Sequence, residues 1–334
     1  MKYQIATLGS HSALQIMKGA FDEGFATLLI ATPERTAFYE RFPFIKEIVT
    51  IPTLSSVAAI EQKLSSRPVI LIPHGSFVQY LGVSGNKQIT VPYFGNKAVL
   101  DYEADRNKQR LWLEKSALPL PRQSTVIEGM KFPVIVKTQG AAGGAGYFFA
   151  SSVKDFNTKV KKLIKKSYVI QEYIVGVTAY FQYFYSPLSK QLELMGIDRR
   201  YESNVDGLGR ITVSDQMQFS PEPEFVVVGN SPLVVRESLL PEIYAMGERV
   251  VAASRKLIAS KGLFGPFCLE TIITPDQKIY CIEISCRIVA GSNLFIDGSP
   301  YSQLLYKEPM STGRRIAREI KNAIKQNKLS IVIN

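Results

Sequence analysis

Two short runs, FGPFCLE at 264–270 and YCIEISCR at 280–287, decide how the rest of the chain is interpreted. Both are rich in apolar and β-branched residues, which is typical of β-strands. Between them lies TPDQ at 274–277, with proline at the second position as in many tight turns. The pattern predicts a β-hairpin whose turn is centred between Pro275 and Asp276.

The predicted hairpin places two glutamates on one sheet face. With that turn centre, Glu270 lies opposite Cys281 and Glu283 lies opposite Cys268. Two carboxylates this close repel each other unless a cation lies between them. Oxygen ligands suit Mg²⁺, which proteins hold with carboxylates and substrate phosphates, and the nearby Arg287 suits a phosphate oxygen. The hairpin therefore predicts a magnesium–nucleotide site; the alternative is two acidic residues on a solvated face.

The composition limits the classes of protein to consider. A chain of 334 residues is long enough for about two or three lobes. Hydrophobic residues make up 46% and charged residues 21%, as in soluble globular proteins, and no apolar run approaches the length of a membrane span. Three cysteines without a CxxC pair, and only two histidines, argue against zinc and a disulfide framework. We expect a cytoplasmic protein without a membrane anchor.

The net charge of +11 is concentrated at residues 154–166 and 314–328. Both stretches have helical patterns, and solvated basic helix faces are common. Anionic small substrates explain the charge equally well. Nucleic-acid binding is a weaker interpretation because the chain carries no recognised nucleic-acid motif.

The first part of the chain has the pattern of a parallel α/β domain. Residues 3–8 and 26–31 are apolar strands joined by a helix at 13–23, and 68–73 is a further buried strand. The pattern predicts a Rossmann-like domain, although it lacks the GxGxxG fingerprint of dinucleotide binding.

Both histidines follow strands of this predicted domain. His11 follows the first strand, and His74 and Ser76 follow the strand at 68–73. Ligands of open α/β sheets bind at the carboxyl ends of the strands. These side chains therefore predict a substrate site, with capping of the strand ends as the alternative.

A strand ending in lysine and a glycine-rich loop form the middle of the chain. PVIVK at 133–137 is followed by GAAGGAGYFF at 140–149. Glycines let backbone amides approach a phosphate closely, and Lys137 adds a point charge. GK[ST] is absent, so this is not a Walker loop. The interpretation is a phosphate-binding loop, and the alternative is a plain flexible hairpin.

Three later strand ends carry polar residues. Glu172 and Tyr173 precede a glycine and suit a hinge at which backbone groups contact an adenine edge. Arg199 and Arg200 end another strand, where either suits a phosphate. Asn230 follows a further apolar strand at its edge.

The order of these features resembles that of the ATP-grasp superfamily along nearly the whole chain. More narrowly, the sequence resembles the archaeal PurP family, formate-dependent synthetases that convert 5-aminoimidazole-4-carboxamide ribonucleotide (AICAR) to its 5-formamido product (FAICAR). The matching runs are IATLGSHS (5–12), PHGSF (73–77), YFGNK (93–97), RYESNVDG (200–207), GPFCLE (265–270) and RRIAREI (314–320).

The resemblance implies an α/β protein with an ATP-grasp fold after a Rossmann-like domain. The implied units are an N-terminal α/β domain at 1–118, a small lobe with the glycine loop at 119–185, and a large lobe with the Mg–nucleotide site at 186–334. It also implies that ATP activates formate as formyl phosphate, which the amino group of AICAR then attacks. A homo-oligomer, trimer or hexamer, is implied as well.

The resemblance further assigns roles to individual residues. Glu270 and Glu283 would hold Mg²⁺ or Mn²⁺. The implied catalytic residues are Lys137, Glu283 and Arg287. The implied ATP-binding residues are Lys137, Gly140, Gly143, Gly144, Gly146, Glu172, Tyr173 and Arg200. The implied AICAR-binding residues are His11, Ser76 and Asn230.

Four positions differ from the pattern of the family. Ala142 and Ala145 stand where the resemblance leads us to expect basic residues, Gln182 where it leads us to expect histidine, and Asp101 where it leads us to expect arginine. Fewer cations in the glycine loop mean less compensation for phosphate charge. Two alternatives therefore stand beside FAICAR synthesis: a paralogous ligase with a different acid or amine, and a non-catalytic nucleotide-binding protein.

Overall fold

A computed structural model describes residues 2–57, 61, 64–138, 147–163, 167–219, 226–258 and 261–334. Its strands are β1 Gln4–Leu8, β2 Ala26–Ala31, β3 Glu47–Thr50, β4 Val69–Leu71, β5 Gln123–Ser124, β6 Val134–Thr138, β7 Tyr147–Ala150, β8 Tyr168–Glu172, β9 Val177–Tyr185, β10 Leu192–Glu202, β11 Val227–Pro232, β12 Gly265–Ile273 and β13 Ile279–Ser285. Its α-helices are α1 Ala13–Asp22, α2 Pro33–Tyr39, α3 Gly82–Gln88, α4 Leu100–Ala104, α5 Arg106–Lys115, α6 Val153–Val160, α7 Ser203–Leu208, α8 Val213–Phe219, α9 Leu240–Leu257, α10 Ser302–Leu305, α11 Thr312–Lys325 and α12 Leu329–Val332.

The first sheet is parallel, with strand order β3-β2-β1-β4, as the continuous apolar runs predict. Alternate residues of β2 enter two separate cores: Leu29 joins the core that contains Ile16 of α1, whereas Leu28 and Ile30 join the opposite one. Both faces of the sheet are therefore buried, which explains the lack of polar alternation.

Helices α1 and α11 cross closely enough to require glycine. A Cβ atom on Gly19 would lie 2.2 Å from the backbone nitrogen of Arg314, and one on Gly313 would lie 2.4 Å from the carbonyl oxygen of Gln15. The two glycines let the C-terminal helix pack directly on the N-terminal domain.

The second sheet is small and antiparallel, with order β5-β8-β6-β7. Its core contains Val134, Val136, Ile170 and Phe156 of α6. The third sheet has order β11-β10-β9-β12-β13 and is also antiparallel. The predicted unit boundaries stay predictions. Strand β9 falls in the predicted small lobe at 119–185, but it pairs with β10 and β12 of the third sheet.

The hairpin that the sequence predicts is β12–β13, but the predicted register is wrong. The connection is longer than expected: the backbone N–H of Thr274 donates to the carbonyl oxygen of Lys278 (3.0 Å), and Gln277 is left-handed with φ 65°. A β-bulge next to Glu270 then shifts the pairing by one more residue. As a result Glu270 lies directly opposite Glu283.

The same shift changes the neighbours of the cysteines. Cys268 pairs with Ser285, and Cys281 pairs with Thr271. The prediction that each cysteine lies opposite a glutamate is therefore wrong. All three cysteines are free and buried. In the described residues no helix is long and apolar enough to span a membrane.

The basic stretch at 314–328 is mostly paired, so its interpretation as a solvated face is wrong. Glu23, which is 2% exposed, accepts hydrogen bonds from Arg314 (2.8 Å), Arg318 (2.7 Å) and Lys321 (3.2 Å). Arg315 is buried between two further glutamates. One buried carboxylate thus compensates three cations and joins α1 to α11.

We expect Glu23→Gln to lower the free energy of unfolding by about 3 kcal/mol, since removing one partner of a buried ion pair leaves its charge uncompensated. Burial alone would raise the pKa of Glu23, but hydrogen bonds from Arg318 and Arg314 outweigh it and lower that pKa to about 2. Because the folded pKa lies below the ordinary value of 4.5, this stability is present at neutral pH and is lost as pH falls from 4.5 towards 2.

Urea unfolding at pH 7 and pH 3 measures this effect. The difference between wild type and Glu23→Gln should be smaller at pH 3. Glu308→Gln, which removes a more exposed partner of Arg318, is the matched control and should unfold like the wild type. Equal midpoints for Glu23→Gln and wild type at pH 7 would contradict the assigned ion pairs.

Candidate active site

One face of the third sheet carries charged and aromatic side chains from the four adjacent strands β10, β9, β12 and β13. Tyr180, Glu270 and Glu283 are direct neighbours across β9, β12 and β13. The guanidinium of Arg200 lies 3.6 Å from the ring centroid of Tyr180, and its Nη2 lies 3.2 Å from Oε1 of Glu270. Arg200 therefore compensates the charge of Glu270 and makes a cation–π contact with Tyr180.

Lys137 meets the two glutamates across the cleft between the second and third sheets. It ends β6, is 8% exposed, and lies close enough to Glu283 and Glu270 for both to affect its pKa. Burial lowers the pKa of Lys137 to about 8, and Glu283 opposes that shift. Burial and Glu270 raise the pKa of Glu283, with Lys137 opposing. Burial therefore disfavours the charged form of both Lys137 and Glu283 when no ligand is present.

The donor set fits a hard divalent cation. Glu270 and Glu283 offer carboxylate oxygens from opposed strand positions. Within the described residues there is no group of three or more His, Cys, Asp or Glu side chains that could hold a metal. Two carboxylates supply too few ligands for a metal cage made of protein alone, but they match Mg²⁺ that is shared with substrate phosphates.

Arg106 is a cation of this cleft that the sequence analysis missed. It begins α5, where the carboxylate of Asp105 caps the helix by accepting from the backbone N–H groups of the next turn. Its Nη2 lies 3.4 Å from the hydroxyl of Tyr147, the first described residue after the glycine loop. The Nζ of Lys137 is 5.5 Å from the same ring, and the cleft is lined by Arg106, Lys137 and Glu283.

The predicted adenine hinge lies at the end of β8. The side chain of Glu172 accepts from the backbone N–H of Arg122 (3.2 Å), and Tyr173 packs edge-on against Phe149 with centroids 5.2 Å apart. Burial, and then the charge of Glu202 on β10, raise the pKa of Tyr173. The pKa of Glu202 is itself raised to about 6 by burial and by Asp206. Glu202 was also missed.

Arg287 is held by a carboxylate from the N-terminal part of the chain. Its Nε lies 3.1 Å from Oε1 of Glu103, whose Oε2 accepts from the backbone N–H of Cys286 (2.8 Å). The charge of Arg287 also lowers the pKa values of His11 and His74. Arg287 therefore lies next to the histidines and forms an ion pair with Glu103.

The two histidines meet at the edge of the first sheet, as predicted. Their rings are parallel within 1°, with centroids 5.3 Å apart. His74 donates from Nε2 to the carbonyl oxygen of Leu8 (2.9 Å), and its Nδ1 accepts from the backbone N–H of Ser76 (3.2 Å). His11 is left-handed, with φ 52°, and its Nδ1 lies 2.8 Å from Oγ of Ser12.

Burial is the main reason that both imidazoles stay neutral. It lowers the pKa of His11 to about 3, helped by His74 and Arg287, and lowers the pKa of His74 to about 4. Ser76 is buried beside them. A segment of the C-terminal part reaches this edge, where Asn293 donates to the backbone carbonyl of His11 (3.2 Å).

The predicted site residues thus form two adjoining groups. The first is Lys137, Arg200, Glu270 and Glu283, and the second is His11 and Ser76, with Arg287 next to the histidines. Asn230 lies on β11 opposite Arg200. Gly140, Gly143, Gly144 and Gly146, with Ala142 and Ala145, lie outside the described residues.

Two family models match the chain. One, described as a protein of unknown function (DUF1246), matches residues 5–124, and the other, described as a domain of unknown function (DUF1297), matches residues 154–334. The chain is 50% identical to the 5-formaminoimidazole-4-carboxamide-1-(beta)-D-ribofuranosyl 5'-monophosphate synthetase of Pyrococcus horikoshii, with 99% of each chain covered. It is 45% identical to the synthetase of the same name from Saccharolobus solfataricus, again with 99% of each chain covered.

A solved structure agrees with these relatives. The crystal structure of the IMP biosynthesis protein PurP from Thermococcus kodakaraensis is 31% identical, covers 99% of this chain and all of its own (100%), and superposes with a TM-score of 0.80. The chain belongs to the PurP family. The resemblance noted in the sequence is thereby confirmed.

More distant structures place the PurP family in the ATP-grasp fold, as predicted. The ADP complex of N5-carboxyaminoimidazole ribonucleotide synthetase (purK) is 14% identical, with a TM-score of 0.69 over 96% of this chain and 77% of that one. At this identity the likeness shows the fold alone. ADP is bound in that structure and in two further neighbours, the N5-carboxyaminoimidazole synthetase of Staphylococcus aureus and a biotin carboxylase domain of Hydrogenobacter thermophilus.

Proposed function

We propose that the chain is an ATP-dependent carbon–nitrogen ligase that joins formate to the 5-amino group of AICAR, giving the product after which its relatives are named. The observation that carries the proposal is the pairing of Glu270 with Glu283 opposite the buried Lys137. Two carboxylates and a lysine in one cleft suit a nucleoside triphosphate with its divalent cation.

The proposed reaction has two steps. A formate oxygen attacks the γ-phosphorus of ATP, the bond from that phosphorus to the β,γ-bridging oxygen breaks, and ADP leaves. The 5-amino nitrogen of AICAR then attacks the carbon of formyl phosphate. The bond from this carbon to the phosphate oxygen breaks, inorganic phosphate leaves, and the amine nitrogen loses a proton.

The protein contributes position and charge. Lys137, Arg200 and Arg106 supply cations around the cleft, and Arg287 supplies one beside the histidines. Glu270 and Glu283 would hold Mg²⁺ or Mn²⁺, which supplies further positive charge to the transferring phosphate when bound. Holding formate, phosphate and amine together lowers the entropic part of the barrier, and no covalent nucleophile is needed.

The neutral histidine edge suits the second substrate. His11, with Ser76 nearby and Asn230 on the facing sheet, would bind the imidazole ribonucleotide through uncharged hydrogen-bonding groups. Of the two described departures from the family pattern, Asp101 forms an exposed ion pair with Lys87 (2.7 Å). Gln182, by contrast, bonds Asp198, which lies two residues before Arg200 on β10, and this keeps a different acid or amine as the second hypothesis.

Phosphate release with ATP, Mg²⁺, formate and AICAR, each omitted in turn, tests the proposal. We expect release, and FAICAR detected by mass spectrometry, only when all are present. Release that does not depend on formate or AICAR would overturn the substrate assignment and favour another acid or amine. Absence of nucleotide binding in calorimetry would instead favour a non-catalytic protein.

We further propose a homo-oligomer, trimer or hexamer, and a cytoplasmic setting. The free, buried state of Cys268, Cys281 and Cys286 suits a reducing compartment. Sedimentation velocity of the purified chain tests the oligomeric state.

A further inference from the structure

A buried carboxylate on β10 determines how two neighbouring amides are oriented. Asp198 is fully buried and accepts a hydrogen bond on Oδ2 from Nδ2 of Asn230 (2.8 Å) and one on Oδ1 from Nε2 of Gln182. Its carboxylate packs against the backbone of the segment that follows β13, because a Cβ atom on Gly291 would lie 2.5 Å from Oδ2. The carboxylate therefore has little freedom to move.

The orientation of both amides follows from this contact. A carboxylate only accepts hydrogen bonds, so each amide must turn its NH2 group towards Asp198 and its carbonyl oxygen away. The Oε1 atom of Gln182 is buried and has no hydrogen-bond partner among the described residues. Asn230 likewise uses its NH2 group on Asp198. One carboxylate thus presents two amide carbonyls as acceptors.

This acceptor pair adjoins both groups of the candidate site. Asn230 lies opposite Arg200, the cation that contacts Glu270. On the other side, the segment that packs on Asp198 continues to Asn293, which bonds the backbone of His11. Arg200 is also close enough to lower the pKa of His11.

We propose that Asp198 is a positioning residue that presents the carbonyl oxygens of Gln182 and Asn230 to an NH2 group of the imidazole nucleotide. An NH2 group donates two hydrogens and matches two acceptors, whereas a hydroxyl donates one. This inference rests on the proposed function, in which the substrate carries a 5-amino and a 4-carboxamide NH2. Either group has the required chemistry, and the test below distinguishes them.

Asp198→Asn tests the inference by changing polarity without changing size. The new side chain offers one acceptor oxygen and one NH2 group, so one of the two neighbouring amides must reverse and present a donor. Calorimetry would compare AICAR with an analogue lacking the 5-amino group and with 5-aminoimidazole-4-carboxylate ribonucleotide. Sites built to bond an N–H group discriminate strongly against ligands that lack it.

We expect the wild type to bind AICAR more tightly than at least one analogue. In Asp198→Asn the affinity for AICAR should fall about tenfold, the preference over that analogue should shrink, and binding of Mg·ADP should be unchanged. The analogue whose disadvantage disappears identifies the NH2 group. Asp276→Asn, the same change in the exposed β12–β13 turn, is the control and should keep all affinities.

Gln182→Met is the second variant, because it removes one acceptor while leaving Asp198 paired with Asn230. Gln182→Met should reduce the same preference. It replaces Asp198→Asn as the test if circular dichroism shows that Asp198→Asn does not fold. A folded variant that keeps the wild-type preference over both analogues overturns the inference while the proposed function stands. Failure of the wild type to bind AICAR overturns the proposed function itself.

Discussion

Glu283→Gln should lower the turnover number by about 10³ or more, because in the proposed site a neutral amide cannot replace an anionic ligand of the cation that neutralises the phosphate charge. Glu283 lies directly opposite Glu270 in the hairpin, so the substitution removes one of the two carboxylates of this pair and leaves the other in place. FAICAR formation at saturating substrates, titrated with Mg²⁺, measures the effect. Glu248→Gln, on the exposed face of α9, is the matched control.

The same variant should fold at least as well as the wild type when ligands are absent. Burial and Glu270 raise the pKa of Glu283 above its ordinary value of 4.5. A raised folded-state pKa means that the wild type loses stability as pH rises from 4.5 through the raised value, and a glutamine has no such loss. The urea midpoint should therefore fall more between pH 5 and pH 8 in the wild type than in Glu283→Gln. Turnover close to that of the wild type would refute the metal role.

The sequence predicted the type and order of the elements well, because continuous or alternating apolar patterns dominate this fold. Residues 26–31 form β2 with both faces buried, as their unbroken apolar run indicates. The register of β12 on β13 could not be obtained in this way. It depends on a connection closed by Thr274 and Lys278 and on a bulge, and neither changes the apolar pattern.

The candidate site was predicted in part for a similar reason. Residues with a local signal, such as Lys137 at a strand end, were found, whereas partners from distant segments, such as Arg106 and Glu103, were not. One usable signal was overlooked. Alternate residues of a strand share a face, so the choice of Arg200 already implied Asp198 and Glu202 beside it on β10.

Lys137→Met should reduce kcat/KM for ATP by about 10²–10³, since the variant keeps a side chain of similar length but removes the cation that we propose to lie at the transferring phosphate. The lysine is 8% exposed and faces Glu283 and Glu270. Water therefore screens its charge weakly. Lys278→Met, in the exposed β12–β13 turn, is the control and should keep the wild-type rate.

The pH profile separates loss of charge from loss of packing. Burial lowers the pKa of Lys137 from 10.5 to about 8, so in the free wild-type enzyme the ammonium is lost as pH rises through about 8, and kcat/KM for ATP should fall there. Lys137→Met has no proton to lose at this position, so its low activity should stay flat across that range. Lys137→Arg, which remains charged, should move the alkaline fall to higher pH. An alkaline fall near pH 8 that persists in Lys137→Met would assign the titration to another group, and a wild-type kcat/KM in that variant would contradict the phosphate contact.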